Sequence, residues 1–214
     1  SRGLGDVYKR QAGNYTKQRN TMLSHLKKYE TLLASNSPRR RELLAGLDID
    51  YRVTALPEVD ESYPDTLSGE EIPLYISQEK AAAYRRFMKD NTLLITADTI
   101  VWLDGKVYGK PRDIADAKAM LQALSGKTHT VITGVTLTSL QKQISFAVST
   151  EVTFAALGDD EIDYYVETYR PLDKAGAYGV QEWIGYIGVT GLKGSYYNVM
   201  GLPIQRLYTE LKKF

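Results

Sequence analysis

The stretch LLASNSPRRREL (Leu32–Leu43) sets an apolar run against a short turn, a proline and three consecutive arginines. YETLLA (29–34) reads as a buried strand, Ser37 stands at an N-cap position, Pro38 at the first helical position, and RRRELLAGL (39–47) supplies a helix that Gly46 stops. Strand, turn and helix in that order open an α/β fold. The arginines are the anomaly. A helix N-terminus carries about half a positive charge and unpaired N–H groups, so Arg39, Arg40 and Arg41 in its first turn each oppose the macrodipole by roughly 0.3–1 kcal/mol. A bound anion would offset that cost: backbone donors, the Ser35 and Ser37 hydroxyls and forked guanidiniums converge where open α/β sheets take ligands and helix ends take phosphate. A polyphosphate fits this arrangement. The alternative is that the arginines splay onto a solvated face, with Arg41 pairing Glu42.

Further along the chain, DYRVTAL (50–56) gives a second strand and the acidic PEVDESYPD (57–65) a loop. Ile72, Tyr75, Ile76, Ala83 and Phe87 fall at helical spacing, which predicts an amphipathic helix over 72–89 with Lys80 on its apolar face. NTLLITADTIVWL (91–103) is a strand interrupted by Asp98, and Asp104-Gly105 signals a hairpin before KVYGKP. Asp113 caps a helix carrying Ile114, Ala117, Leu121 and Leu124 on one face, and Gly126 ends it. THTVITGVTLT (128–138) and ISFAVSTEVTFAA (144–156) are expected to pair antiparallel, the second with strict alternation from Ile144 to Phe154. Asp159 opens a helix through Tyr169, a Gly-rich aromatic stretch occupies 175–201, and a last helix starts at Pro203. Residues 1–22 follow neither period, and GLGDVYKRQ looks like translated adapter sequence, so 1–22 are set apart as a non-native or disordered extension to a single domain over 23–214.

With 214 residues, 43% hydrophobic and 25% charged, the chain has the make-up of an ordinary globular protein. Its net charge of +1 provides no global field for a nucleic acid polymer, so an anion must be met by a local basic cluster. Having no cysteine, it can form neither a disulfide nor a thiolate nucleophile, and with only His25 and His129 a histidine-rich metal site is excluded too. Any metal would be held by carboxylates and water. No apolar run approaches the roughly 18 residues of a membrane span. A cytoplasmic protein with no membrane partner is the expectation.

Several residues invite chemistry, each with a plainer alternative. Asp98, inside a buried strand, must be paired, bound to a metal or placed at an exposed end; it can activate water or bind Mg²⁺, or else accept backbone hydrogen bonds in a bulge. Lys80 reads as a cation turned inward or as a snorkelling lysine. Lys110, in YGKPRD, is displayed by a Pro-fixed turn or is a surface charge. Glu61 and Asp60 offer oxygens to a hard cation but also suit a solvated loop. His129 reads as a structural histidine. Gln181, in AGAYGVQEWIG, can read a base edge with its amide, or simply pack.

Six blocks, LASNSPRRRELL, ADTIV, GKPRD, LSGKTHTVITGV, PLDKAGAYGVQ and GSYYNVMGLP, resemble in order the signatures of the Maf family of nucleoside triphosphate pyrophosphatases, from about Thr31 to Leu211. The resemblance implies an α/β fold, a mixed twisted sheet with flanking helices and two lobes around a central nucleotide-binding cleft. It implies hydrolysis of nucleoside triphosphates at the α-β phosphoanhydride, with Mg²⁺ or Mn²⁺, as a house-cleaning of noncanonical nucleotides. Ser35, Arg39 and Arg40 match its phosphate-binding positions, Lys80 and Lys110 further catalytic cations, and Asp98 the general base. Thr99 and Gln181 match positions tied to base selection. A metal would be shared by Glu61 or Asp98, phosphate oxygens and water. The YGVQ form is similar to the branch acting on dTTP and UTP, although EWIG after it departs from the more usual Gly-rich continuation. A homodimer is implied as well. The alternatives are a pyrophosphatase for another modified nucleotide such as 7-methyl-GTP, or a nucleotide-binding regulator of cell division without turnover.

Overall fold

In the computed structural model the chain is described over residues 21–55 and 59–214. The extension assigned to 1–22 lies outside the described residues except for Thr21 and Met22.

Strand β1 (Glu30–Ala34) leads through the expected turn into helix α1 (Pro38–Ala45), and β2 (Arg52–Thr54) returns parallel to β1. Helix α2 (Glu71–Tyr84) crosses to β3 (Thr92–Leu103), also parallel to β1, and β4 (Lys106–Tyr108) folds back on the end of β3. Helix α3 (Ile114–Leu124), capped by Asp113 accepting from Asp116 N at 2.8 Å, precedes the antiparallel β5 (Thr128–Thr138) and β6 (Gln143–Phe154). After α4 (Asp159–Tyr169), the Gly-rich stretch resolves into α5 (Trp183–Gly188), β7 (Val189–Lys193) and α6 (Tyr196–Met200), and α7 (Ile204–Leu211) closes the chain. The seven strands form one mixed sheet in the order β2-β1-β3-β5-β6-β7, with β4 beside β3. This is the expected α/β arrangement of a mixed sheet with flanking helices.

One expectation needs correction. The helix predicted over 72–89 ends at Tyr84 and gives way to a short 3-10 turn, Arg85–Phe87, that leaves Phe87 exposed. Its buried stripe holds Ile72, Ile76 and Lys80 as expected, with Ser77, Ala81 and Tyr84, so hydrophobic spacing misplaced the end of the helix. No helix among the described residues is long and apolar enough to cross a membrane.

The core divides into two main clusters. Leu33, Leu44, Leu93, Val135, Leu207 and Leu211 pack α1 and α7 on the β1-β3-β5 part of the sheet; Leu121, Phe154, Ile162, Tyr165 and Ile184 join α3, α4 and α5 beside β6. Met200, on α6, touches both clusters. One edge of β3 is open between two pairings. Its first residues pair with β1 through Ile95 and its last with β4 from Val101, so Thr96–Ile100 have no strand partner on that edge. Asp98 sits in the middle of this opening.

Helix α2 can lie close to β5 only because residue 134 is glycine. A Cβ there would stand 2.4 Å from both the carbonyl carbon and oxygen of Pro73, on α2. Gly134 is the cross-strand partner of Asp98, so this contact fixes the distance of α2 from the carboxylate. Gly134→Ala should lower the unfolding free energy by about 1–3 kcal/mol through overpacking. An unchanged urea midpoint would show that α2 shifts outward without cost.

Candidate active site

The arginine run at the start of α1 separates into three fates. Arg40 turns into the opening on β3: its Nε donates to Gly201 O at 2.8 Å, one terminal nitrogen to Ala97 O at 2.9 Å and the other to Thr99 Oγ1 at 3.0 Å. The guanidinium thus replaces a missing strand partner and ties α1, β3 and the α6–α7 turn together. Burial pulls its pKa down, opposed by the nearby Asp98 and seconded by Arg39. Arg39 reaches across to Asp173 at 2.8 Å, while Arg41 folds back on Ser35 O at 3.3 Å. The expected cap is present, with Ser37 Oγ accepting from Arg40 N at 3.4 Å and Ser35 Oγ from Ser37 N at 3.2 Å.

Lys80 does not snorkel. Its side chain is 5% exposed, and its ammonium lies 2.8 Å from Asp98 Oδ1 and 2.9 Å from Glu61 Oε1. Asp98 is itself 12% exposed, whereas Glu61, on the acidic loop, is 48% exposed. Partial burial works against the charge on Glu61, but Lys80, Lys110 and Arg40 outweigh it and hold its pKa below the ordinary carboxylate value. Asp60 faces away and accepts from Ser62 N and Oγ, each at 2.9 Å.

These groups line one cleft of about 270 Å³, close to the lower end of small-molecule sites. Its lining includes Ser35, Arg40 and Lys110, the Lys80 group with Asp98 and Glu61, and the Arg39–Asp173–Lys174 group beside Gly179 and Gln181. Every residue assigned a role by the resemblance lines the cleft, and Asp60 does not. Thr99 is there too, but its hydroxyl accepts from Arg40 and shares a 2.9 Å hydrogen bond with Thr133 Oγ1, so it is held by the protein. Gln181 stands out because its Oε1 is buried and has no hydrogen-bond partner. Such an acceptor costs free energy unless something fills the cleft and donates to it.

The sequence reading passed over Asp173, Lys174 and Glu182. Asp173 receives Arg39 and Lys174, and these contacts overcome its partial burial and hold its pKa at about 2. Lys174 also meets Glu182 Oε1 at 3.2 Å, and the other oxygen of Glu182 accepts from Tyr165 OH. The charges lay in an aperiodic stretch, where a charged residue reads as solvated; the signal was their crowding beside Gln181 within one Gly-rich segment.

Among the described residues no three histidine, aspartate or glutamate side chains gather to hold a metal. Glu61 and Asp98, oriented by one ammonium, offer two carboxylates. Two are enough for Mg²⁺, which usually keeps several waters and binds through one or two carboxylates plus substrate phosphates. The donor set therefore fits a cation that arrives with a polyphosphate.

His129 is structural, as expected. Its Nε2 lies 2.7 Å from Tyr178 OH, its ring packs edge-on to Phe154 and Tyr178, and Nδ1 is buried without a partner. Desolvation lowers its pKa from 6.5 to about 4. The unfolded chain therefore binds a proton below pH 6.5 that the folded protein refuses until about pH 4. Stability should fall across that interval as pH drops, by up to about 3 kcal/mol. His129→Gln should flatten this slope in urea melts between pH 7 and 4; an unchanged slope would assign the acid sensitivity elsewhere.

Comparison with known proteins agrees with this geometry. A family model described as "Maf-like protein" matches residues 30–214. A protein named dTTP/UTP pyrophosphatase from Phocaeicola vulgatus is 67% identical over 192 residues, covering 90% of this chain and 100% of that one. Proteins of the same name from Bacteroides thetaiotaomicron and Flavobacterium psychrophilum are 63% and 48% identical, over 90% and 86% of this chain and 100% and 96% of theirs. In fold, the chain is similar to the solved Ham1 protein of Staphylococcus aureus, with a TM-score of 0.51 at 19% identity over 86% of this chain and 98% of that one.

Proposed function

This chain belongs to the family of Maf-like proteins, and on that premise we propose that its cleft hydrolyses dTTP and UTP to the monophosphate and pyrophosphate. The observation that carries the reading is Asp98 on a buried lysine beside an arginine-bearing helix start, in a cleft also lined by Gln181, whose buried Oε1 has no hydrogen-bond partner. The basic residues suit a polyphosphate, and Gln181 suits a base with an N–H to donate. The names of the relatives, at 48–67% identity, supply the substrate.

In this mechanism water attacks the α-phosphorus, the bond to the bridging oxygen breaks, and pyrophosphate leaves. Asp98 accepts the proton of the attacking water, and Lys80 fixes the direction of that carboxylate. Ser35, Arg39 and Lys110 meet the phosphates and stabilise charge on the departing pyrophosphate. Arg40, with three of its five N–H groups spent on the protein, adds a fixed positive charge and two remaining donors. Mg²⁺ or Mn²⁺, held by Glu61, water and the substrate, would supply neutralisation of the triphosphate. A direct metal bond to Asp98 would make it a weaker base, so the reading gives Glu61 the metal and Asp98 the proton. A cytoplasmic location, a house-cleaning role and a homodimer belong to the same reading. Exposed Tyr186, Tyr196 and Tyr197 are the kind of aromatic surface that subunit contacts bury.

The test is pyrophosphate and phosphate release from dTTP, UTP, CTP, ITP and 7-methyl-GTP with Mg²⁺ or Mn²⁺, beside an Asp98→Asn variant. Pyrophosphate should come from dTTP and UTP, stop with EDTA, and fall by about 10²–10⁴-fold in the variant, which still pairs Lys80 with Glu61. Preference for 7-methyl-GTP would move the substrate. Thermal stabilisation by dTTP without product would replace the enzyme with a nucleotide-binding regulator.

A further inference from the structure

Lys174 is the buried cation that the phosphate chemistry leaves unused. Its side chain is 10% exposed, it lines the cleft, and its ammonium touches Asp173 Oδ1 at 2.8 Å and Glu182 Oε1 at 3.2 Å. An ammonium has three N–H donors, so one remains without a protein partner among the described residues. Its stem lies against the turn that carries Gln181: a Cβ on Gly179 would be 3.1 Å from Lys174 Cε and 2.9 Å from the Glu182 carboxyl carbon. The same turn is closed by Gly185, where a Cβ would meet Val180 O at 1.8 Å. Lys174 and Glu182 are therefore packed on the turn that carries Gln181, and Lys174 shares Asp173 with Arg39.

This turn brings together a spare donor on Lys174 and an orphaned acceptor on Gln181. The ring edge of uracil or thymine has the complementary pattern, an N3–H flanked by two carbonyl oxygens. We propose that Lys174 is a specificity-determining residue, donating to a carbonyl oxygen beside N3 while Gln181 Oε1 accepts the N3–H. The assignment rests on reading the cleft as a pyrimidine nucleotide site. It explains a lysine neutralised by two carboxylates, for the pairing keeps its charge from attracting phosphate beside Gln181 while leaving one N–H to report on the ring. A site built to hydrogen-bond a ring carbonyl discriminates against a ligand that lacks it, because its buried groups are left unpaired.

The experiment measures binding rather than turnover, with UMP, ribose 5-phosphate and pyrophosphate titrated by ligand-observed NMR. Lys174→Met should raise the Kd for UMP by about 10- to 100-fold and leave ribose 5-phosphate and pyrophosphate within twofold. Lys174→Gln, which keeps a donor, should recover part of the loss. Neither change strands a carboxylate, since Asp173 keeps Arg39 and Glu182 keeps Tyr165, and thermal melts check the fold. Equal losses on ribose 5-phosphate, or an unchanged Kd for UMP, overturn the assignment while the proposed activity stands. A wild-type protein that binds pyrophosphate but not UMP overturns the pyrimidine reading together with it.

Discussion

The contact between Lys80 and Asp98 constrains everything around it. Two opposite charges at 2.8 Å, each nearly out of water, are costly to bury and costlier to separate, since removing one partner of such a pair leaves the other uncompensated and typically costs about 3–5 kcal/mol. The pair spans two elements, α2 and β3, that have no covalent reason to be at one distance. Gly134 sets that distance by letting α2 sit against β5 opposite Asp98. Ser77, one turn before Lys80, adds a second anchor: its backbone carbonyl accepts from Thr96 Oγ1 at 2.7 Å and its hydroxyl meets Thr136 Oγ1 at 2.8 Å. A polar stripe on a buried helix face is thus organised around one carboxylate.

The opening in the sheet is the complementary constraint. A strand edge with unpaired carbonyl groups invites another strand, and here Arg40 occupies it instead. A guanidinium suits this position because its planar fork reaches Gly201 O, Ala97 O and Thr99 Oγ1 at once, which an ammonium on a flexible stem does not do. The apparent error of placing positive charge at a helix N-terminus is resolved in this way. Arg40 is stabilised by three acceptors and the field of Asp98, Arg39 by Asp173, and Arg41 by the Ser35 carbonyl.

What the sequence revealed follows from the range of the interactions. The strand-turn-helix start, the Asp113 cap and the alternation of β6 depend on neighbours a few residues apart, so they were legible. The blocks contained Asp98 and Gln181, helical spacing singled out Lys80, and the cleft brings them together. The end of α2 was misread because Phe87 continues a helical spacing after the backbone has left the helix. Helices α5 and α6 and strand β7 went unseen because five or six residues are too few to show a period. Asp173, Lys174 and Glu182 were invisible for another reason. A charge in a loop looks solvated until its partners, Arg39 from α1 and Tyr165 from α4, are brought to it by the fold.

Exposure sorts these ion pairs by what substrate binding asks of them. Five cationic side chains line the cleft, Arg39, Arg40, Lys80, Lys110 and Lys174, against the carboxylates of Glu61, Asp98 and Asp173. The carboxylates keep the cations from repelling one another, yet a triphosphate must take over part of that role. Asp173 and Glu61, 55% and 48% exposed, form pairs that water already screens and that exchange at little cost. Asp98, at 12%, does not. Solvation therefore leaves the partners that must yield to phosphate free to move, and holds in place the one carboxylate whose direction the reaction requires.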